Sequence, residues 1–410
     1  MLNITVDTKK IPSLDVERSA GYWQNVFARL VRDKVAMFAA FVILCLLIMA
    51  VLGQWITPAD PYAASIMKRL KPIGFEGYPL GTDELGRDML SRLMVGARLS
   101  LFMGITPVIC AFVIGSLIGI TAGSIYALMA IAFVLVWRST RVINFAQAGM
   151  ALLSTYFGYE AVSRIGSFWV ALPVAMIGGA LFAALVELIL MRSLVKHASS
   201  GPIAGVAPII ATLGLLGVIR SVVSMIWGGQ DLRIVAPISN NGFTINGSTL
   251  VFSPLKLLIL GVVVVLLILL SILFQKTNLG LALRASAHAP EIARLSGVRV
   301  DAVRTLGWAL AGAAGAVAGL FQTVNGNGNF SPDSIEFSLL LVSGFIAAVI
   351  GGLDSLLGAV LGGLFLGIAI SFVLMYISSG LFFIAPFIIL LAVLFIRPQG
   401  IIGVKAGRRA

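Results

Sequence analysis

Ten apolar runs set the pattern of this chain. They occupy residues 37–56, 99–137, 142–162, 168–191, 203–227, 250–274, 303–321, 339–352, 356–376 and 381–396, with polar, charged segments between many of them. Strands of a membrane barrel alternate apolar and polar positions, and these runs do not. About 20 apolar residues cross a bilayer as a helix. The pattern therefore predicts an all-α fold, a polytopic transmembrane helical bundle of about ten spans. The run 99–137 is the ambiguous one, because its 39 residues exceed a single span. If one span covers 112–137 and 99–111 lies at the outer surface, the count is ten. If the run is a hairpin turning near Thr121 to Ser124, the count is eleven. That hairpin leaves only 125–137 for its returning limb, which favours ten.

Composition strengthens the membrane reading. Of 410 residues, 59% are hydrophobic and only 11% charged, far from the balance of a soluble domain. The formal net charge of +12 would suit nucleic acid, but Lys and Arg cluster at the ends of apolar runs and read as topology determinants. The expected surroundings are the lipid bilayer, with no nucleic-acid partner. Placing Arg397, Lys405, Arg408 and Arg409 inside puts 277–304 inside, 325–336 outside, and Arg138, Arg141, Arg192 and Lys196 inside. In the ten-span arrangement 57–98 is outside and the N-terminus inside. About thirty polar residues precede the first run, so no cleavable signal is expected. Cys45 and Cys110 are isolated within apolar runs, and His197 and His288 lie in separate loops, so no disulfide or metal site is expected.

Candidate chemistry is sparse. There is no G-x-x-x-x-G-K-[ST], H-E-x-x-H or G-x-S-x-G, so neither catalytic residues nor a cofactor is expected. Asn144 and Gln147 stand three apart on one helix face, which suits interhelical hydrogen bonds or a polar path. Arg220 and Glu187 lie near span ends, where long side chains snorkel to the interface. An intramembrane cation such as Arg220 also suggests function. In the polar segment 277–304, Pro290 suits a first helical turn, Glu291 its positive end and Gly297 its stop. This predicts a short helix, 290–296, with Ile292 and Leu295 on one face. Spacing alone favours a solvated loop with a helical turn. Upstream, Gly81 and Thr82 suggest a turn and N-cap, with Asp83 and Glu84 in a first helical turn.

The same residues carry a resemblance. Thr277, Gly280, Ala282, Arg284, Ala285, Ala287, Pro290, Glu291, Ala293, Leu295, Gly297 and Val298 form a pattern that resembles the cytoplasmic coupling loop of ABC-importer permeases of the branched-chain amino acid family. The likeness runs from about 119 to 403. It includes Gly123, Ser124, Tyr126, Ala127 and Leu128, the stretch Asn144, Phe145, Ala146 and Gln147, and the ending Arg397, Pro398 and Gly400. Ala148, Asp354 and Leu357 depart from the family pattern, which prefers Gly at the first two and often Pro at the third.

The resemblance implies the permease subunit of an importer in the bacterial inner membrane. ATPase subunits would grip the loop 275–304 through Arg284, Pro290, Glu291, Ile292, Leu295 and Gly297. A second related permease and an extracytoplasmic substrate-binding protein are the other implied partners. Asn144, Phe145, Gln147 and Arg220 are the residues expected on the substrate path. Leucine, isoleucine or valine is the implied cargo, with urea or short amides as the alternative. An ATP-independent carrier or channel is the rival class; such proteins use buried Asp, Glu or His, which are scarce here.

A second resemblance covers about 33–123. Pro79, Leu80, Gly81, Thr82, Asp83, Leu85, Gly86, Arg87, Asp88, Leu90, Ser91 and Arg92 read like the N-terminal part of dipeptide and oligopeptide ABC permeases. The expected organisation is a peptide-permease-like fragment, 1–118, joined to an amino acid permease, 119–410. Dipeptide import is therefore a further alternative.

Overall fold

Each apolar run contains a helix in the computed structural model, which describes residues 27, 31–197, 202–245, 248–249, 252–397 and 400. Expectations about Lys405, Arg408, Arg409 and Pro398, and about the side chain of Lys196, lie outside the described residues. The chain divides into two units, 1–110 and 111–410, and the division falls within one helix.

In the first unit, helix α1 (Lys34–Ile56) begins where the Asp33 carboxylate accepts from the N–H groups of Val35 and Ala36 at 2.9 and 3.3 Å. The loop that follows folds on its own polar groups. Asp83 accepts from the N–H groups of Leu85 and Arg87, each at 2.9 Å, and pairs with Arg87 at 2.8 Å and with Arg92. Burial pulls the Asp83 carboxyl upward, but these backbone and guanidinium donors together hold it well below the usual carboxylate range. Gly86 has φ of 72°, and a Cβ there would sit 1.9 Å from the Ser65 carbonyl oxygen, so the motif requires glycine. The expected cap is corrected here. Helix α2 (Met89–Thr140) starts six residues beyond Asp83, and its first N–H groups are met by Asp88, 2.9 Å from Ser91 N and 3.4 Å from Leu90 N. Thr82 instead closes the loop, accepting from Lys71 N at 2.9 Å and donating to the Lys68 carbonyl.

Helix α2 is continuous over 52 residues, more than a bilayer core of roughly 30 Å requires. It has no turn near Thr121 to Ser124, so the hairpin of the eleven-span alternative does not form. Residues 99–111, expected as a surface segment, are helical and continuous with the span.

The second unit continues with α3 (Gln147–Ile165), α4 (Phe168–Val186), one π-helical turn (Glu187–Met191), α5 (Arg192–His197) and α6 (Pro202–Trp227). Then come α7 (Pro254–Lys276), α8 (Asn278–His288), α9 (Pro290–Leu295), α10 (Val300–Asn325), α11 (Ile335–Gly351), α12 (Leu356–Tyr376) and α13 (Ala385–Ile396). Seven of the described helices are long and apolar enough to cross a membrane, and α11 and α13 are shorter apolar helices. Helix α10 is the centre. Its Gly and Ala positions let α3 and α4 close around it, and Trp308, Ala311, Ala316, Val317 and Phe321 are fully buried. At the crossing of α2 and α12, a Cβ on Gly367 would lie 2.3 Å from the Gly123 Cα, so the two backbones touch.

After α11 the chain reverses through the glycine-rich stretch 351–363, where α11 and α12 form a plain helical hairpin. Ser355 caps α12 by accepting from Gly358 N at 2.9 Å. The loops after α6 and α10 are joined by a short antiparallel ladder, β1 (Leu232–Arg233) with β4 (Asn329–Phe330); a second pairs β2 (Thr244–Ile245) with β3 (Ser248–Thr249). The rings of Phe330 and Trp227 lie 4.8 and 5.0 Å from that of Tyr156, tying the β1–β4 ladder to the middle of α3 and the end of α6.

Candidate functional site: the coupling segment and the polar groups behind it

The segment 277–304 contains two helices rather than one. Thr277 caps α8, accepting from Gly280 N at 3.2 Å, and Gly280 lies against the end of α7, where a Cβ would meet the Leu273 carbonyl oxygen at 2.3 Å. Pro290 opens α9 as its sequence position indicates, and Gly297 ends it with φ of 84°. Helix α9 ends at Leu295, with Ser296 as its cap. Ala293 is buried and anchors the short helix, whereas Ile292 is 66% and Leu295 90% exposed. Glu291 and Arg284 are exposed beside them. A cleft of about 410 Å³ runs between α8 and α9, lined by Leu281, Arg284, Ile292, Ala293, Ser296 and Val298.

Behind α9 a polar chain leads into the bundle. Arg294 pairs with Asp301, in the first turn of α10, at 3.2 Å. The Asp301 carbonyl accepts from Arg192 Nη2 at 3.2 Å. Arg192 also donates to Thr305 Oγ1 at 3.0 Å and pairs with Glu187 at 3.2 Å, and Thr305 donates to Glu187 at 2.6 Å. Glu187 therefore does not snorkel. Its side chain is 2% exposed and turns inward because Arg192 and Thr305 satisfy it there. It sits in the π-helical turn, an element frequent at functional sites. Sequence reasoning missed this partnership, since Thr305 is 118 residues away.

Asn144 and Gln147 are fully buried at the start of α3. Asn144 Nδ2 donates to Gln147 Oε1 at 3.1 Å, and Gln147 Nε2 donates to the Ala311 carbonyl of α10 at 3.0 Å. Phe145 is half-buried against Phe345, and its N–H donates to Thr212 of α6 at 3.3 Å. Arg220 is half-buried and donates to Ser338 of α11 at 2.8 Å, with its Nε enclosed and unpartnered. The structure thus brings Asn144, Phe145 and Gln147 together and places Arg220 at another contact. Asp354, a departure from the family pattern, pairs with Arg141 at 2.6 Å and accepts from Trp137 Nε1 at 3.2 Å. That contact fastens the α11–α12 hairpin to the end of α2.

Apolar helices packed round a central small-residue helix, with an exposed short helix joined directly to that centre, define a multi-pass helical membrane protein. The chain belongs to the family described as branched-chain amino acid transport system / permease component, which matches residues 104–395. The N-terminal TM domain of oligopeptide transport permease C matches residues 21–72. A probable branched-chain amino acid transport permease protein LivH of Methanocaldococcus jannaschii is 32% identical over 297 residues, covering 68% of this chain and 89% of the relative. The high-affinity LivH permease of Escherichia coli K12 is 27% identical, covering 70% and 93%. The dipeptide permease DppC of Bacillus subtilis is 37% identical over 121 residues, covering 30% of this chain and 36% of the relative. No solved structure matches the chain. The protein is accordingly an ABC-transporter permease, multi-pass in the inner membrane.

Proposed function

We propose that the chain is the membrane-spanning subunit of an ATP-driven importer of branched-chain amino acids. ATP hydrolysis takes place on separate ATPase subunits, and an extracytoplasmic receptor and a second related permease complete the assembly. The observation that carries this is α9: a short helix anchored at Ala293 that presents Ile292 and Leu295 to solvent. Two exposed apolar side chains on a fixed helix are what a partner groove recognises. Arg284, Pro290, Glu291 and Gly297 shape that surface. The path from Arg294 through Asp301 and Arg192 to Glu187 supports transmission of ATPase movement into α4 and α10.

Asn144, Phe145, Gln147 and Arg220 are assigned to framing the substrate path, because their hydrogen bonds fix α3 to α10 and α6 to α11. The N-terminal peptide-permease-like part, 1–118, is not required for the choice of cargo in this reading. The test is uptake in proteoliposomes containing the whole assembly. Leu295→Asp and Glu291→Lys are expected to insert normally and to lower ATP-dependent leucine uptake at least about tenfold, from about 1.4 kcal/mol or more of lost docking energy. Uptake and ATPase stimulation at the unaltered level would refute the assignment. Competition by leucine but not by dipeptides or urea is the expected specificity.

A further inference from the structure

A cavity of about 530 Å³ opens beside the coupling segment, between α2, α7, α8 and α12. Its body is aliphatic: Val264, Leu267 and Ile268 of α7 face Leu356, Leu357 and Val360 of α12. Several of these side chains, including Val264, Ile268 and Leu357, are exposed at the surface of the subunit. Its polar end carries Arg138, Arg284 and Asp354, with Ser271, Gln275 and Ser355. Asp354 is already paired with Arg141. Arg138 and Arg284 form no salt bridge among the described residues. Arg138 lies over the Phe274 ring at 5.5 Å, and Arg284 donates its Nε to the Gly280 carbonyl at 3.3 Å. Both guanidinium groups keep terminal nitrogens for an anion.

We infer that this cavity holds one anionic phospholipid of the inner leaflet, its phosphate between Arg138 and Arg284 and an acyl chain along α7 and α12. The chemistry selects that occupant. A bare anion has no use for the aliphatic body, and a neutral lipid leaves Arg138 and Arg284 with a single carboxylate beside them, Asp354, which Arg141 already engages. A water-soluble zwitterion would have to lie against the exposed aliphatic face of α7, where lipid competes. Basic pockets between spans on the cytoplasmic side are where anionic headgroups bind. The inference rests on the membrane placement of these helices and not on which solute the permease carries.

The full chain, purified in mild detergent, is titrated with phosphatidylglycerol or phosphatidylcholine, and bound lipid is read by native mass spectrometry. Phosphatidylglycerol is expected to bind about thirtyfold more tightly, about fivefold for each arginine. Arg138→Gln with Arg284→Gln is expected to reduce the preference to within about twofold. Leu357→Trp, a change at an exposed position, tests the acyl groove without touching the arginines; it is expected to weaken both lipids together. Arg164→Gln, in an exposed pair with Glu160 elsewhere, is expected to change nothing. An unaltered phosphatidylglycerol preference in the double variant overturns the inference, as does equal binding of the two lipids by the parent chain. Displacement of bound lipid by millimolar inorganic phosphate would show a free-anion site instead, and displacement by leucine a solute site. Either result also overturns it.

Discussion

Replacing Glu187 by Ala removes the only carboxylate that pairs with Arg192 among the described residues and takes away an acceptor of Thr305. Loss of one partner from a fully buried pair costs about 3–5 kcal/mol, because the other charge is left uncompensated. Here Glu187 is 2% exposed but Arg192 is 28% exposed, so water and the Asp301 carbonyl offset part of that cost. The expected loss is about 2–3 kcal/mol. Glu187→Gln keeps an acceptor for Thr305 and is expected to lose about 1 kcal/mol. The double variant Glu187→Ala with Arg192→Ala is expected to be more stable than Glu187→Ala alone. Thermal unfolding in mild detergent, followed by tryptophan fluorescence, reads these differences. Trp308 is fully buried three residues beyond Thr305 and reports on the same end of α10. Transport should fall further than stability explains, since Glu187 lies on the path from α9 to α4. A Glu187→Ala protein within about 0.5 kcal/mol of the parent would refute the network as a stabilising device. A double variant no better than the single one would refute the pairing.

Other outcomes follow from the fold. Gly367→Val is expected to cost about 3 kcal/mol or more at the α2–α12 crossing and to reduce the yield of monodisperse protein; full yield would show that the backbones part easily. The Asp83 carboxyl is held below its ordinary value, so its stabilisation is complete above about pH 4 and is lost only as pH falls through that lowered value. Limited proteolysis of the loop is therefore expected to be equal at pH 7 and pH 5, and faster at both in Asp83→Asn. In a background lacking Cys45 and Cys110, a cysteine at the exposed Glu76 is expected to react with a membrane-impermeant reagent in intact cells, and one at Ser296 is not. The reverse pattern would invert the topology.

Much of the helical content was legible because long apolar runs in this composition have few other solutions. The short helix α9 was legible for a different reason: Pro290 and Gly297 are local signals that act on their own neighbours. Helix α8 is not legible in the sequence, since Asn278–His288 is short, its apolar face spans only a few residues, and its cap at Thr277 is a weak sign alone. The roles of Glu187 and Asp354 are not legible locally: Arg192 is only five residues from Glu187, but Thr305, which helps turn it inward, and Arg141, the partner of Asp354, are distant in sequence. Burial of a charge depends on what faces it, which local spacing does not contain. The cap at Asp88 is not legible in the sequence because Thr82 and Asp88 lie in one polar motif, and only the loop geometry separates their roles.

The connection from α9 to α10 is very short: Ser296, Gly297, Val298 and Arg299 are all that separate them. Its own backbone is pinned, with Val298 N bonded to the Ala293 carbonyl at 3.0 Å and Val303 N to Arg299 at 3.1 Å. In mechanical terms this is a stiff crank and not a tether. If α9 docks an ATPase as proposed, a displacement of Leu295 would reach α10, the helix most enclosed by the rest of the bundle, through these four residues. Chain length at this joint is therefore itself under constraint. On the proposed coupling, an inserted residue here is expected to lower coupled uptake although Ile292 and Leu295 themselves are unchanged.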